Sequence, residues 1–287
     1  MTLAQETPVK PVATFTVTWE PLPDDFQLDE EPVDNIDQPL LAGALSESLE
    51  LASYIQPQML VAGNLGICAT LNEQLVIKAP DWFFVPRADE VAPRGNRKSY
   101  TPHLEGEIPT LVMEFLSDKG GSEYSVKQVH PLGKWFFYEQ ILKIPTYIIF
   151  EPEGGLLEVY RLRGGCYKLE MPDPEGRHWI EEMGLYLGTW RGEKEGRNDY
   201  WLRWWDRQGD LLLWGVELVQ QERQRAEVER QQAEAERQRA EAERQRAEVE
   251  SRRAEVESQR AEAERQRAEK LAAYLRQQGI DPNELLS

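Results

Sequence analysis

Asp81 and Glu114 each place a carboxylate at or within a segment that otherwise reads as buried strand. Ala79-Pro80-Asp81 closes an apolar run, and Glu114 sits inside Thr110-Leu111-Val112-Met113-Glu114-Phe115-Leu116-Ser117. An ionised carboxylate is rarely buried without a partner, so strands like these call for a cation. Two hard oxygen donors on strands that can be neighbours suit Mg²⁺ or Mn²⁺, and the main-chain carbonyl of Phe115 is the natural third ligand. An ion held this way lowers the pKa of water and neutralises the charge that develops at a phosphodiester. The same chemistry needs a positive side chain near the attacking water or the scissile phosphate. Two residues after Glu114 stands Leu116, not a lysine. Lys134 takes the part instead, because a helix packed beside the strand can aim its first turn at the strand's end.

The elements that must position these residues follow from local pattern. Residues 1–38 are rich in proline and acid (Pro21, Pro23, Asp24, Asp25, Glu30, Glu31, Pro32) and read as an extended arm. Residues 40–55 carry Leu41, Leu45, Leu49 and Ala52 at helical spacing. Strands are expected over 59–62, 67–78 and 81–86, then a polar loop over 87–106. Continuous apolarity makes 110–116 a central strand. A loop over 118–131 leads to a helix over 132–142 with its aromatic residues turned inward. Residues 147–150 return as a strand, 156–162 and 165–171 form a hairpin across Arg163-Gly164, and Trp-rich β structure over 179–190 and 200–205 closes the body. This order predicts one α/β domain with a mixed sheet.

Taken in order, Pro80-Asp81, Glu114-Phe115-Leu116-Ser117, Lys134 with Tyr138, and Ile144-Pro145-Thr146-Tyr147-Ile148-Ile149-Phe150-Glu151-Pro152 resemble the Uma-two family of restriction-type endonucleases. Its members belong to the PD-(D/E)xK nuclease superfamily, with the lysine moved to the following helix. The resemblance spans about residues 40–205 and rests on the ordered set. It implies a restriction-endonuclease-like mixed sheet flanked by helices. It also implies Asp81 and Glu114 as metal ligands, Lys134 as the catalytic cation, Tyr138 as its companion on the helix, and DNA as substrate. His130 stands where many relatives carry an acid, and the family's opening hairpin has only Asn64-Leu65-Gly66 as a counterpart.

Charge bounds the partners. The chain of 287 residues carries a net −18; the part after Gln220 is almost balanced, so −16 falls on the body. A nonspecific nucleic-acid binder shows a basic footprint, and this body does not. Contact with DNA must rely on metal ions, a second subunit, or local bases, for which Arg87, Arg94, Arg97 and Lys98 in the 87–106 loop are the candidates. Cys68 and Cys166 are too few for a disulfide framework. His103, His130 and His178 lack zinc spacing. The opening residues do not read as a secretory signal, and no apolar run reaches the roughly 20 residues of a membrane span, so a cytoplasmic protein is expected.

The tail is periodic. Alanine recurs every seven residues from Ala226 to Ala268, and Val or Ala sits two places on from Val228 to Ala263. Residues two apart lie about 200° around a helix, so the two rows do not make a strong coiled-coil seam. Glu and Arg alternate at i+3 and i+4 instead, which supports an isolated helix. A helix from about Leu211 to Gln278 is expected, either lone or weakly coiled with a second copy, with Gly279 as its C-terminal stop. The organisation read from sequence is an arm over 1–38, a nuclease-like domain over 39–210 and a helical tail over 211–287. Two other readings of function stand beside the metal-dependent endonuclease: a silent binding module on the same fold, and an adaptor acting through its tail.

Overall fold

The computed structural model describes residues 15–21, 37–89, 99–116, 123–128 and 132–278. It divides into two compact units, Met1–Leu218 and Val219–Ser287. In the first, strand β1 (Val17–Thr18) precedes helix α1 (Asp37–Leu51), then β2 (Leu60–Ala62), β3 (Gly66–Leu71), β4 (Gln74–Lys78), β5 (Trp82–Val85), β6 (Ser99–Tyr100) and β7 (Leu111–Phe115). A single helical turn, α2 (Lys134–Phe136), runs directly into a π-helix (Phe137–Leu142). Strands β8 (Thr146–Glu151), β9 (Leu156–Arg163), β10 (Cys166–Glu170), β11 (His178–Ile180), β12 (Leu185–Lys194) and β13 (Arg197–Trp205) follow, and α3 (Gly215–Gln277) ends the described chain.

Six strands form the central sheet in the order β10-β9-β8-β7-β5-β2, antiparallel except for the β7–β8 pair. Its middle strands are buried on both faces, which is why they read as unbroken apolar runs rather than alternating ones. The two-residue period sorts their side chains. Trp82, Phe84, Met113, Ile148 and Phe150 face α1 and the β11-β12-β13 meander, in a core with Leu41, Leu45, Leu49, Trp201 and Trp204. Phe83, Val85, Val112, Tyr147 and Ile149 face the β3 sheet and the π-helix, in a second core with Ile67, Phe137 and Leu142. The expected mixed α/β architecture is therefore present.

Three expected elements differ in detail. The run 67–78 is a hairpin, β3 and β4, because Asn72 and Glu73 both take left-handed backbone at φ 49° and 66°; a glutamate there carries no turn signal of its own. The helix over 132–142 begins only at Lys134 and widens to π geometry. The stretch 179–190 breaks at Glu181 to Gly184, where Gly184 has φ 61° and turns the chain from β11 to β12. The tryptophans behave mainly as core: Trp201 and Trp204 are fully buried, and Trp205 nearly so.

Helix α3 starts later than residue 211 because Leu212 and Trp214 belong to the core. Trp214 donates from its indole to the Ala44 carbonyl (2.9 Å), and the Gly215 amide donates to Glu47 (2.9 Å). Arg203, completely buried, lies 3.4 Å from the Trp214 ring centroid and forks onto Glu217 at 3.1 and 2.7 Å. Beyond Val219 the helix has no buried residue, and ion pairs such as Arg230–Glu227 and Arg252–Glu248 (both 2.9 Å) run along it. Gly279, the expected stop, falls outside the described residues. No described helix is long and apolar enough to cross a membrane.

The start of α3 is thus part of the body. Truncation after Gln220 should leave the body's urea midpoint unchanged. Glu217→Ala should lower body stability by about 3 kcal/mol, because Arg203 would remain buried with its counter-charge gone. Equal midpoints for wild type and Glu217→Ala would show that the two flanking indoles suffice to hold the guanidinium.

Candidate active site

Register brings the two carboxylates together. β5 pairs antiparallel with β7, with Trp82 opposite Met113, so the next position sets Asp81 opposite Glu114. Residues directly across an antiparallel pair have Cβ atoms roughly 5 Å apart. The two-residue period gives both the facing of Phe83 and Val112, toward the π-helix. The Pro80 carbonyl takes the Asn64 amide (3.0 Å) rather than continuing the ladder, and the Phe115 amide donates to the Asp81 carboxylate (2.6 Å). Gly63 matters here, since a Cβ on it would meet the Asp81 carbonyl oxygen at 2.7 Å.

Glu114 is completely buried. Lys134 donates to its Oε2 at 2.8 Å and the Tyr138 hydroxyl to its Oε1 at 2.9 Å. Their spacing of four puts both donors on one side of the helix. The turn starts close against residues 123–128: the Gly133 amide bonds the Lys127 carbonyl (2.9 Å), and a Cβ on Gly133 would strike the Ser125 carbonyl oxygen at 1.9 Å. Aromatic rings wall the carboxyl off from water. Tyr147 lies 5.3 Å from Tyr138, and its hydroxyl donates to the Glu123 carbonyl (2.8 Å).

Burial sets the protonation. It pushes the Glu114 carboxyl up to about 8, against the pull of Lys134 and with the help of the neighbouring Asp81 charge. Burial also raises Asp81, which shares a side-chain hydrogen bond with Glu114. Burial alone would lower the Lys134 ammonium, but attraction to Glu114, with Asp81 and Glu123 adding to it, carries it above its ordinary value. The Tyr138 phenol lies well above its usual range through burial beside Glu114.

Two residues near the site had no signal in the sequence. Gln38, on the first turn of α1, donates its amide to the Phe115 carbonyl (2.9 Å), the oxygen expected to be a third ligand. Glu123, in a stretch that reads as plain loop, is buried and adds to the negative field at Asp81 and Lys134. Neither has a pattern neighbour, and only the fold brings them here. Arg87 lies past the far end of β5, away from Asp81. Arg94, Arg97, Lys98 and His130 fall outside the described residues.

The donor set suits a hard divalent ion. Asp81 and Glu114 offer carboxylate oxygens, and the Phe115 carbonyl has a second lone pair beyond the one Gln38 uses. Among the described residues no group of three or more acidic, histidine or cysteine side chains is placed to hold a metal ion, so the donors on offer are these two carboxyls and the carbonyl. Asp81, Glu114 and, by its field, Glu123 outweigh the one ammonium of Lys134, so the ionised site carries an excess of negative charge. The family model Uma2, described as "Putative restriction endonuclease", matches residues 31–192. No curated protein matches the chain.

Glu114 titrates near pH 8 in the fold against 4.5 for the free group. Between those values the unfolded chain gives up a proton that the folded chain keeps, so Glu114's contribution is complete below pH 4.5 and lost as pH rises to about 8. Thermal unfolding in chelator should show Tm falling from pH 5 to pH 8, with the fall flattened in Glu114→Gln, which does not titrate. Parallel profiles for the two proteins would show that Glu114 does not hold the proton.

Proposed function

The chain belongs to the Uma2 restriction-endonuclease family, and from that premise we propose that it is a divalent-metal-dependent endonuclease hydrolysing phosphodiester bonds in DNA. The observation that carries this reading is the convergence of Asp81, Glu114 and Lys134 on one buried point at the end of β7. Asp81, Glu114 and the Phe115 carbonyl would hold Mg²⁺ or Mn²⁺, which when bound supplies Lewis-acid stabilisation of the scissile phosphate and a more acidic water. A divalent ion there would replace the Glu114 proton as the partner of the carboxylates, and Lys134 would offer its ammonium to the attacking water or a phosphate oxygen. Tyr138 keeps Glu114 oriented through its hydroxyl, and the aromatic wall excludes bulk water, which strengthens each of these interactions. Cutting both strands of a duplex needs two such sites, and α3 would pair two chains only as a weak coiled coil.

Supercoiled plasmid incubated with Mg²⁺ or Mn²⁺ should be nicked and linearised. Asp81→Asn, Glu114→Gln and Lys134→Gln should each lose at least about 100-fold in rate, with circular dichroism unchanged. Calorimetry should show Mn²⁺ binding to wild type with proton release at pH 7, weakened in the two carboxylate variants and retained in Lys134→Gln. Cleavage that persists in Glu114→Gln would place the chemistry elsewhere. A wild type that binds metal but cuts neither duplex nor single-stranded DNA would favour the binding-module reading.

A further inference from the structure

The seven-residue repeat of α3 gives its Val/Ala row two flanks of opposite charge. With Val228, Val249 and Val256 at the a position of a heptad, every g position from Glu227 to Glu269 is glutamate. Every e position from Arg239 to Arg267 is arginine. The alanine row from Ala226 to Ala268 falls at f, on the far side of the helix. Between Gln231 and Gln266 the d position is glutamine except at Arg252, which pairs with Glu248 of its own helix at 2.9 Å. A lone helix has no use for this arrangement. Valine forms helix less readily than alanine, yet the three valines of the repeat stand only in the a row, half exposed, while f is alanine throughout. In parallel pairs a β-branched residue at a favours two strands. Shallow hollows lie along the same stripe, one lined by Val249, Arg252, Arg253 and Val256, the next by Ala242, Gln245, Arg246 and Val249, with charged residues at their edges. Each set is an a, d, e and following a residue, the four-residue hole that receives a knob from a facing helix.

Charge selects the occupant. Among the described residues four ion pairs lie along α3 beyond Val219, and none uses Arg239, Arg246, Arg253, Arg260 or Arg267. These five guanidinium groups are exposed in the single chain. In a parallel pair aligned residue for residue, a g side chain meets the e side chain of the partner's next heptad. Glu234 then faces Arg239 of the partner subunit, and the match repeats every seven residues as far as Glu262 with Arg267 of the partner subunit. An antiparallel pair would set glutamate against glutamate and arginine against arginine. We propose that α3 pairs with a second copy of this chain as a parallel, in-register, two-stranded coiled coil, aligned by Glu–Arg contacts across a weakly apolar seam. Both chains then enter the paired helix from the same end, which tethers two bodies together. The proposal does not depend on the nuclease reading.

The test uses the full chain with Cys166→Ser, which removes the exposed thiol and leaves the buried Cys68. Sedimentation equilibrium should give a dimer in low salt. Its dissociation constant should rise at least about tenfold as NaCl goes from about 0.05 M to about 0.5 M. Reversing the e row (R239E, R246E, R253E, R260E, R267E) should weaken pairing at least about 100-fold. Reversing the g row (E234R, E241R, E248R, E255R, E262R) should do the same, and the two variants mixed should pair again, all with native helicity by circular dichroism. For orientation, Gln231→Cys and Gln266→Cys, made separately, should each give a covalent dimer on mild oxidation, because each position meets its own counterpart at d. An antiparallel pair would bring positions 231 and 266 together and cross-link only the mixture. A chain that stays monomeric at about 100 µM in low salt would overturn the proposal. So would cross-linking that is absent or confined to the mixture, or charge variants that pair as tightly as wild type.

Discussion

The burial of one carboxyl, Glu114, at the centre of a six-stranded sheet is the constraint around which this site is arranged. A glutamate with no solvent exposure must be neutralised, protonated or fully hydrogen-bonded, and the fold provides a proton for the acid form and an ammonium for the ionised one. Lys134 and Tyr138 take its two oxygens, and burial holds its proton to about pH 8. Asp81 stands across the strand pair, and its charge raises the Glu114 carboxyl further. Each partner imposes a further demand. Asp81 takes the Phe115 amide while the Pro80 carbonyl takes that of Asn64, and Lys134 and Tyr138 must lie on one face of a helix whose first turn abuts residues 123–128.

The π-helix meets the last demand in an unusual way. Its wider turn ends with the Ile144 amide bonded to the Tyr138 carbonyl (2.9 Å) and with Lys143 left-handed. Phe137, Tyr138, Ile141 and Leu142 are all buried along it, more than a narrow helical stripe would cover. Such bulges are rare and cluster at functional sites. Here the extra width lets one short element fill the second core and still present Tyr138 to Glu114.

A second buried charge, Arg203, makes an instructive contrast. Its guanidinium is held by Glu217, the Leu212 carbonyl and the faces of Trp190 and Trp214. These partners are bidentate, stacked and fixed, and they secure the start of α3 to the meander. The partners of Glu114 are a flexible ammonium and a phenol, and its own proton is exchangeable. One buried charge is built to stay as it is, and the other can change its state.

Much of this was legible in the chain. An acid inside an apolar strand, an Asp after the proline that closes another, and a Lys and Tyr four apart at a helix start are local statements, and burial energetics make them call for one another. The apolar runs gave the central strands, and the helical spacing of Leu41, Leu45 and Leu49 gave α1. The charge alternation beyond Gln220 gave a solvated helix, because i+3 and i+4 pairing needs no tertiary partner. What the fold alone decided involves residues distant in sequence and individually silent. Gln38 reaches the Phe115 carbonyl across 77 positions, Glu123 joins the field of the site from a plain loop, and Glu217 belongs to the body rather than the tail. The split of 67–78 into a hairpin was equally hidden, since Asn72 and Glu73 adopt left-handed backbone only because Leu71 and Gln74 pair across the turn. Periodicity reports which face of an element is buried; the register between elements, set by packing and ladder hydrogen bonds, determines which side chains meet there.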